Sequence, residues 1–89
     1  MTNEELLEKV KTGLGITSEY TDPTLSIKTL AVKQYMINAG VTIENVETEL
    51  GIATLTVGVN DIWYLKSGEV KFSFAFDILM TQLKAVSML

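Results

Sequence analysis

The helix signals at both ends of the sequence predict a small helical bundle with a longer central helix; whether the domain is all-α, with about four helices and room for a short extended segment before the last, turns on how the middle reads. Three observations predict the bundle. Thr2-Asn3-Glu4-Glu5 is a capping box ahead of an apolar run, Asp22-Pro23 launches a second amphipathic stretch, and a stripe at helical spacing runs from Phe76 to Val86. The middle of the chain fits strand and helix alike.

Helix 1 is expected over about residues 3–12. The Thr2 hydroxyl is placed for an orphan backbone N–H and Glu5 can reach back to the cap. Leu6, Leu7, Val10 and Leu14 fall on one face, and Glu5 and Lys9 stand four apart. Gly13 supplies the stop. Residues 13–22 then read as a loop rich in Gly, Thr, Ser and Asp.

Helix 2 is expected over about residues 23–39, with Asp22 as N-cap, Pro23 at the first helical position and Gly40 as its end. At 100° per residue, Leu25, Val32, Tyr35, Met36 and Ala39 gather in one stripe, while Leu30 and Ile37 lie on another face. A central helix touching several neighbours explains two faces; so does a subunit contact at Leu30 and Ile37. Residues 41–50 hold Glu44, Glu47 and Glu49, an acidic cluster that reads first as a solvated loop or helix start.

Thr54-Leu55-Thr56-Val57-Gly58-Val59 alternates, and so does Val70-Lys71-Phe72-Ser73-Phe74-Ala75-Phe76. On periodicity alone these are strands, joined as a hairpin around residues 60–68. Leu55, Val59, Ile62 and Trp63 also fit a helix, which Leu65 would extend and Ser67-Gly68 would end. Such a helix carries Gly51 and Gly58, at about 2 kcal/mol relative to alanine, which packing has to offset. The last helix, about residues 74–86, has Ser73 as N-cap and Phe76, Leu79, Met80, Leu83 and Val86 as its stripe. No internal repeat, linker or low-complexity tract divides the chain, so residues 1–89 read as one domain.

Composition narrows the function classes. A chain of 89 residues that is 47% hydrophobic carries much apolar side chain for a small interior, which points to oligomerisation. No run approaches the roughly 20 apolar residues that span a bilayer, and the acidic N-terminus argues against a signal peptide. Eleven acids stand against 7 lysines and no arginine, and the lysines are scattered, which argues against specific nucleic-acid binding. Cysteine and histidine are both absent, so disulfides, the common zinc ligands and the usual bases and nucleophiles are missing. Gly13-Leu14-Gly15 lacks the rest of a dinucleotide fingerprint. Asp61 and Asp77, flanked by apolar residues, read as caps or lysine partners rather than as a catalytic pair. No catalytic, cofactor or metal residue is expected, and the chain does not read as an enzyme. Trp63 is expected as a core anchor, with Tyr64 pointing about 100° away and available to a partner.

The order of motifs carries a resemblance. Leu14-Gly15-Ile16, Asp22-Pro23-x-Leu25, Asn38-Ala39-Gly40, the run Val57-Gly58-Val59-Asn60-Asp61-Ile62-Trp63, then S-G-E-V-K-F-S at 67–73 and A-F-D-I-L-M-T-Q-L at 75–83 follow one another. From residue 6 to residue 83 the chain resembles the head-tail connector (adaptor, or head-completion) proteins of tailed bacteriophages and prophages. Its most specific parts are Asn60-Asp61-Ile62-Trp63 and residues 76–83. Tyr64 stands where that pattern commonly has asparagine, and Phe74 where it usually has proline; both add aromatic surface.

The resemblance implies an all-α domain, with helix for about residues 48–65. It implies a homo-oligomeric ring beneath the portal vertex, joining the portal protein to a downstream neck or tail protein and extending the DNA channel, with no cofactor and no membrane. The expected location is the virion neck, and the host bacterial cytoplasm during assembly. On this reading Leu30, Ile37, Tyr64 and Phe74 are interface candidates, and some of Glu44, Glu47 and Glu49 face a channel that passes DNA without holding it. The alternative is a small bacterial interaction module in the cytoplasm, monomeric or dimeric, binding one protein without catalysis.

Overall fold

The structure, a computed structural model, describes residues 1–63 and 71–89. Among these residues every regular element is helical: α1 (Asn3–Leu14), α2 (Asp22–Asn38), α3 (Ile43–Val46), α4 (Glu49–Trp63) and α5 (Phe74–Ser87). The fold is all-α, and the described residues hold one more helix than the expected four. The extra one is the single turn α3, capped by Thr42, whose Oγ1 accepts the Asn45 N–H at 3.3 Å.

The helix starts follow local chemistry. Thr2 Oγ1 accepts the Glu5 N–H at 3.1 Å and Glu5 Oε1 accepts the Thr2 N–H at 3.0 Å, the reciprocal bonds of a capping box. These bonds hold the Glu5 carboxyl below its ordinary range. The stop of α1 differs from expectation. Gly13 stays helical, and the chain turns at Gly15, whose φ of 73° is the left-handed conformation glycine adopts without a Cβ clash. The Ile16 N–H then returns to Lys11 O at 2.9 Å. Asp22 does not cap α2. Thr21 precedes the helix without a side-chain bond, and the Asp22 carboxylate turns to Lys11 instead.

The strand reading of the middle fails. Residues 54–59 lie inside α4, and residues 60–63 continue it where a hairpin was expected; the rest of that turn, residues 64–68, falls outside the described residues. The apparent alternation counted threonine as polar, yet Thr54 donates its hydroxyl to Leu50 O at 2.7 Å and Thr56 to Ile52 O at 2.8 Å. Each satisfies itself on its own helix, so neither needs water on an alternate face. Of the second alternating run, residues 71–73 are non-helical, with Ser73 extended at φ −70° and ψ 162°, and residues 74–76 begin α5.

The hub is α4, not the longer α2. It packs against each of the other four helices, as expected of a helix that is apolar nearly all round. Its glycines make this possible. A methyl group on Gly58 would lie 2.6 Å from Phe76 Cε1 and 2.7 Å from Val32 Cγ1, so α2 and α5 both close on that point. Leu6 and Val10 of α1, Leu25, Val32 and Met36 of α2, Leu55 and Val59 of α4, and Phe76, Met80 and Leu83 of α5 complete the core with Val41 and Val46. The radius of gyration, 12.3 Å, matches the roughly 12 Å of a close-packed chain of this length.

Two polar latches fix α5. At its start, Ser73 donates its N–H and its hydroxyl to Asp61 Oδ2 at 2.9 and 2.7 Å, while Ser73 Oγ accepts the Phe76 N–H at 3.2 Å. At its end, Ser87 Oγ accepts the Thr42 N–H and the Asn45 side-chain amide, both at 3.1 Å. The buried edge of α5 is thereby set, and so is the edge it leaves outside.

Candidate interaction surface

The outer edge of α5 begins with Phe74, 79% exposed, and continues one turn on with Ile78, 45% exposed. The aromatic ring of Phe74 stands in solvent because Phe72 and Phe76, on either side of it, take the inner positions. Those two rings stack with centroids 4.2 Å apart, and Tyr35 leans on Phe72 at 4.8 Å. Tyr35, expected inside the stripe of helix 2, is instead the half-exposed rim of this cluster, and Ala39 is exposed as the C-cap.

A second apolar patch lies on α2. Leu30 is 38% exposed, but its exposed neighbour is Ile27, at 71%, rather than Ile37. Ile37 is half-buried against the core, so of the two only Leu30 stands exposed. Ile27 was legible as the residue three before Leu30, on the same outward side. Tyr64 lies outside the described residues.

The three acids diverge. Glu44 is exposed on α3, Glu47 is half-buried with its carboxylate 3.0 Å from the Met1 amine, and Glu49 is exposed at the start of α4. Glu49 also edges a groove of about 440 Å³ between α1 and α4, with Lys9, Gly13, Ile52, Ala53 and Thr56.

Trp63 is not the core anchor; buried Phe76 is. Trp63 is half-buried, with the Lys28 ammonium 5.5 Å from its ring centroid, and Lys28 donates to Ile62 O at 3.2 Å. With Leu14, Ile16 and Asn60 it lines a dent of about 140 Å³. Asp61 serves as the Ser73 latch, and Asp77 is exposed on the first turn of α5.

One charged group is buried where sequence reading put no special residue. Lys11 is 3% exposed, its ammonium 2.9 Å from Asp22 Oδ1 and 3.8 Å from Glu8 Oε1. The Asp22 hydrogen bond raises its pKa above the ordinary 10.5, and burial works against that rise. The signal was its spacing: Lys11 stands four after Leu7 and three before Leu14, within the apolar stripe of α1.

Among the described residues no three carboxylates converge as metal ligands would, and no helix is long and apolar enough to cross a membrane. No family model, curated protein or solved structure matches this chain. The functional reading therefore rests on the chain's own surface.

Proposed function

We propose that this chain is a structural subunit that works by contact: a head-tail connector of a phage or prophage. On this reading copies of it form a ring between the portal and a downstream neck or tail protein, and DNA passes through without being held. The observation that carries the reading is the apolar outer surface. Phe74 and Ile78 on α5, and Ile27 with Leu30 on α2, stand in water on a fold whose core is already complete. Exposed apolar side chains on two different helices suit a subunit that makes extensive contacts with its own copies and with a neighbour. The motif order from residue 6 to residue 83 supports the same reading, and so does a chain without histidine or cysteine, which leaves it few groups for catalysis.

Glu44 is the best placed of the three acids to face the channel, since Glu47 is engaged and Glu49 edges a groove. Light scattering over a concentration series, with and without the portal, tests the assembly. Closed rings of many subunits are expected. A concentration-independent monomer or dimer that ignores the portal overturns the connector reading and favours a small bacterial interaction module.

A further inference from the structure

We propose that the groove between α1 and α4 receives Phe74 from a second copy of this chain, so that copies join head to tail. The proposal rests on the self-assembly reading above and names its contact.

The groove floor is small and apolar: Gly13, Ile52, Ala53 and the methyl of Thr56, whose hydroxyl is already given to Ile52 O. Such a floor suits an apolar ring and offers a polar ligand little to bind. Its rim carries one cation, Lys9, and one anion, Glu49, neither of them ion-paired among the described residues. Phe74 has the matching arrangement. Lys71 precedes it by three residues and Asp77 follows it by three, both exposed and both without an ion pair among the described residues. An exposed aromatic ring between two opposite charges thus meets an apolar slot between two opposite charges, with Asp77 against Lys9 and Lys71 against Glu49.

The occupant comes from another copy because of how α4 is used. Thr56 faces Gly13 of α1 at the groove, whereas Gly58 faces Phe76 of α5, two residues and about 200° further around the helix. Helix α5, which carries Phe74, and the slot therefore lie across α4 from each other. A contact between two different patches is heterologous, and repeating it gives a closed ring or an open filament rather than a two-fold dimer.

The chain contains no cysteine, which allows a clean test in the full-length protein. Glu49→Cys with Lys71→Cys, which leaves the Phe74 ring in place, oxidised at high protein concentration, is expected to give a ladder of covalent multimers whose links join position 49 of one copy to position 71 of the next, while each single variant stops at dimers. Phe74→Ala should weaken self-association about tenfold or more, as removal of a buried anchor does. Lys9→Glu and Asp77→Lys should each weaken it up to about fivefold and together restore it. Self-association without a ladder overturns this contact and leaves the assembly reading standing. A monomer over the whole series, with no ladder, removes both. Uptake of the apolar dye ANS by the groove, again without a ladder, makes it a small-molecule pocket and overturns the proposal.

Discussion

Gly58 is where α2 and α5 both close on α4, and its replacement has a definite sign. A methyl there meets Phe76 and Val32 at under 3 Å, and overpacking of that kind costs about 1–3 kcal/mol. Alanine regains about 1 kcal/mol of helix propensity, so Gly58→Ala is expected to lower stability by about 1 kcal/mol. In a chain of this size that is a fall in Tm of about 4–8 °C. Gly51→Ala should cost more, because its methyl runs into the carbonyl oxygens of Asn45 and Val46, which are backbone and cannot rotate away. The Lys11–Asp22 pair makes a prediction in pH. The folded pKa of Lys11 is raised, so the stability it contributes is complete below the unfolded value of 10.5 and is lost as pH rises through the higher folded value. Asp22→Asn removes the main cause of that rise. The variant should be less stable at neutral pH, and its stability should fall less steeply above pH 10.5 than that of the parent in urea melts. Equal slopes would mean that the pair does not hold the lysine's proton.

Between α4 and α5 the order of the fold depends on one serine. Ser73 caps α5 with its oxygen and gives both of its hydrogens to Asp61, so the cap and the inter-helix tie are one device. Ser73→Ala should cost about 1 kcal/mol for the cap and take the hydroxyl donor from Asp61, which keeps the backbone N–H of residue 73. Asp61→Ala loses hydrogen bonds to a charged acceptor, each worth about 1.5–3 kcal/mol. A double-mutant cycle in urea should show coupling above about 0.5 kcal/mol; additive losses would show that the two act separately. This device also marks the limit of what the sequence discloses. Ser73 as cap, the capping box at Thr2 and the ends of α2 and α5 were legible, because caps depend on residues three or four apart. The middle was not. Period-two alternation signals a strand only where alternate residues seek water, and Thr54 and Thr56 instead bond their own helix. The apolar surround of α4 then follows from its position at the hub, which no local pattern encodes. The candidate surface was only partly legible. Phe74 is singled out by the family resemblance rather than by local pattern, and of Leu30 and Ile37 the core takes up only Ile37.

If copies assemble as proposed, charge decides what their channel does. Each chain carries a net −4, and a ring multiplies that charge around one axis. DNA held by lysines would stall, since each phosphate neutralised releases counterions and strengthens binding at low salt. An acidic lumen has the opposite effect, repelling the phosphates and leaving the duplex centred and mobile. Glu44 is exposed on α3 and is not among the residues that edge the groove of α1 and α4, so it is free to face the lumen of the proposed ring. If it does, assembled Glu44→Lys protein presents a ring of cations to DNA, whereas the same variant as a monomer presents a single one. The parent is expected to leave duplex DNA unretarded at about 50 mM salt, where phosphate contacts are strong. The assembled variant should retard it, with binding that falls steeply as salt rises, and the monomeric variant should not. Equal retardation of linear and of closed circular duplex by the assembled variant would place Glu44 on the outer wall, where many lysines bind together whichever way they face, since only a lumen position needs a free DNA end to thread the ring.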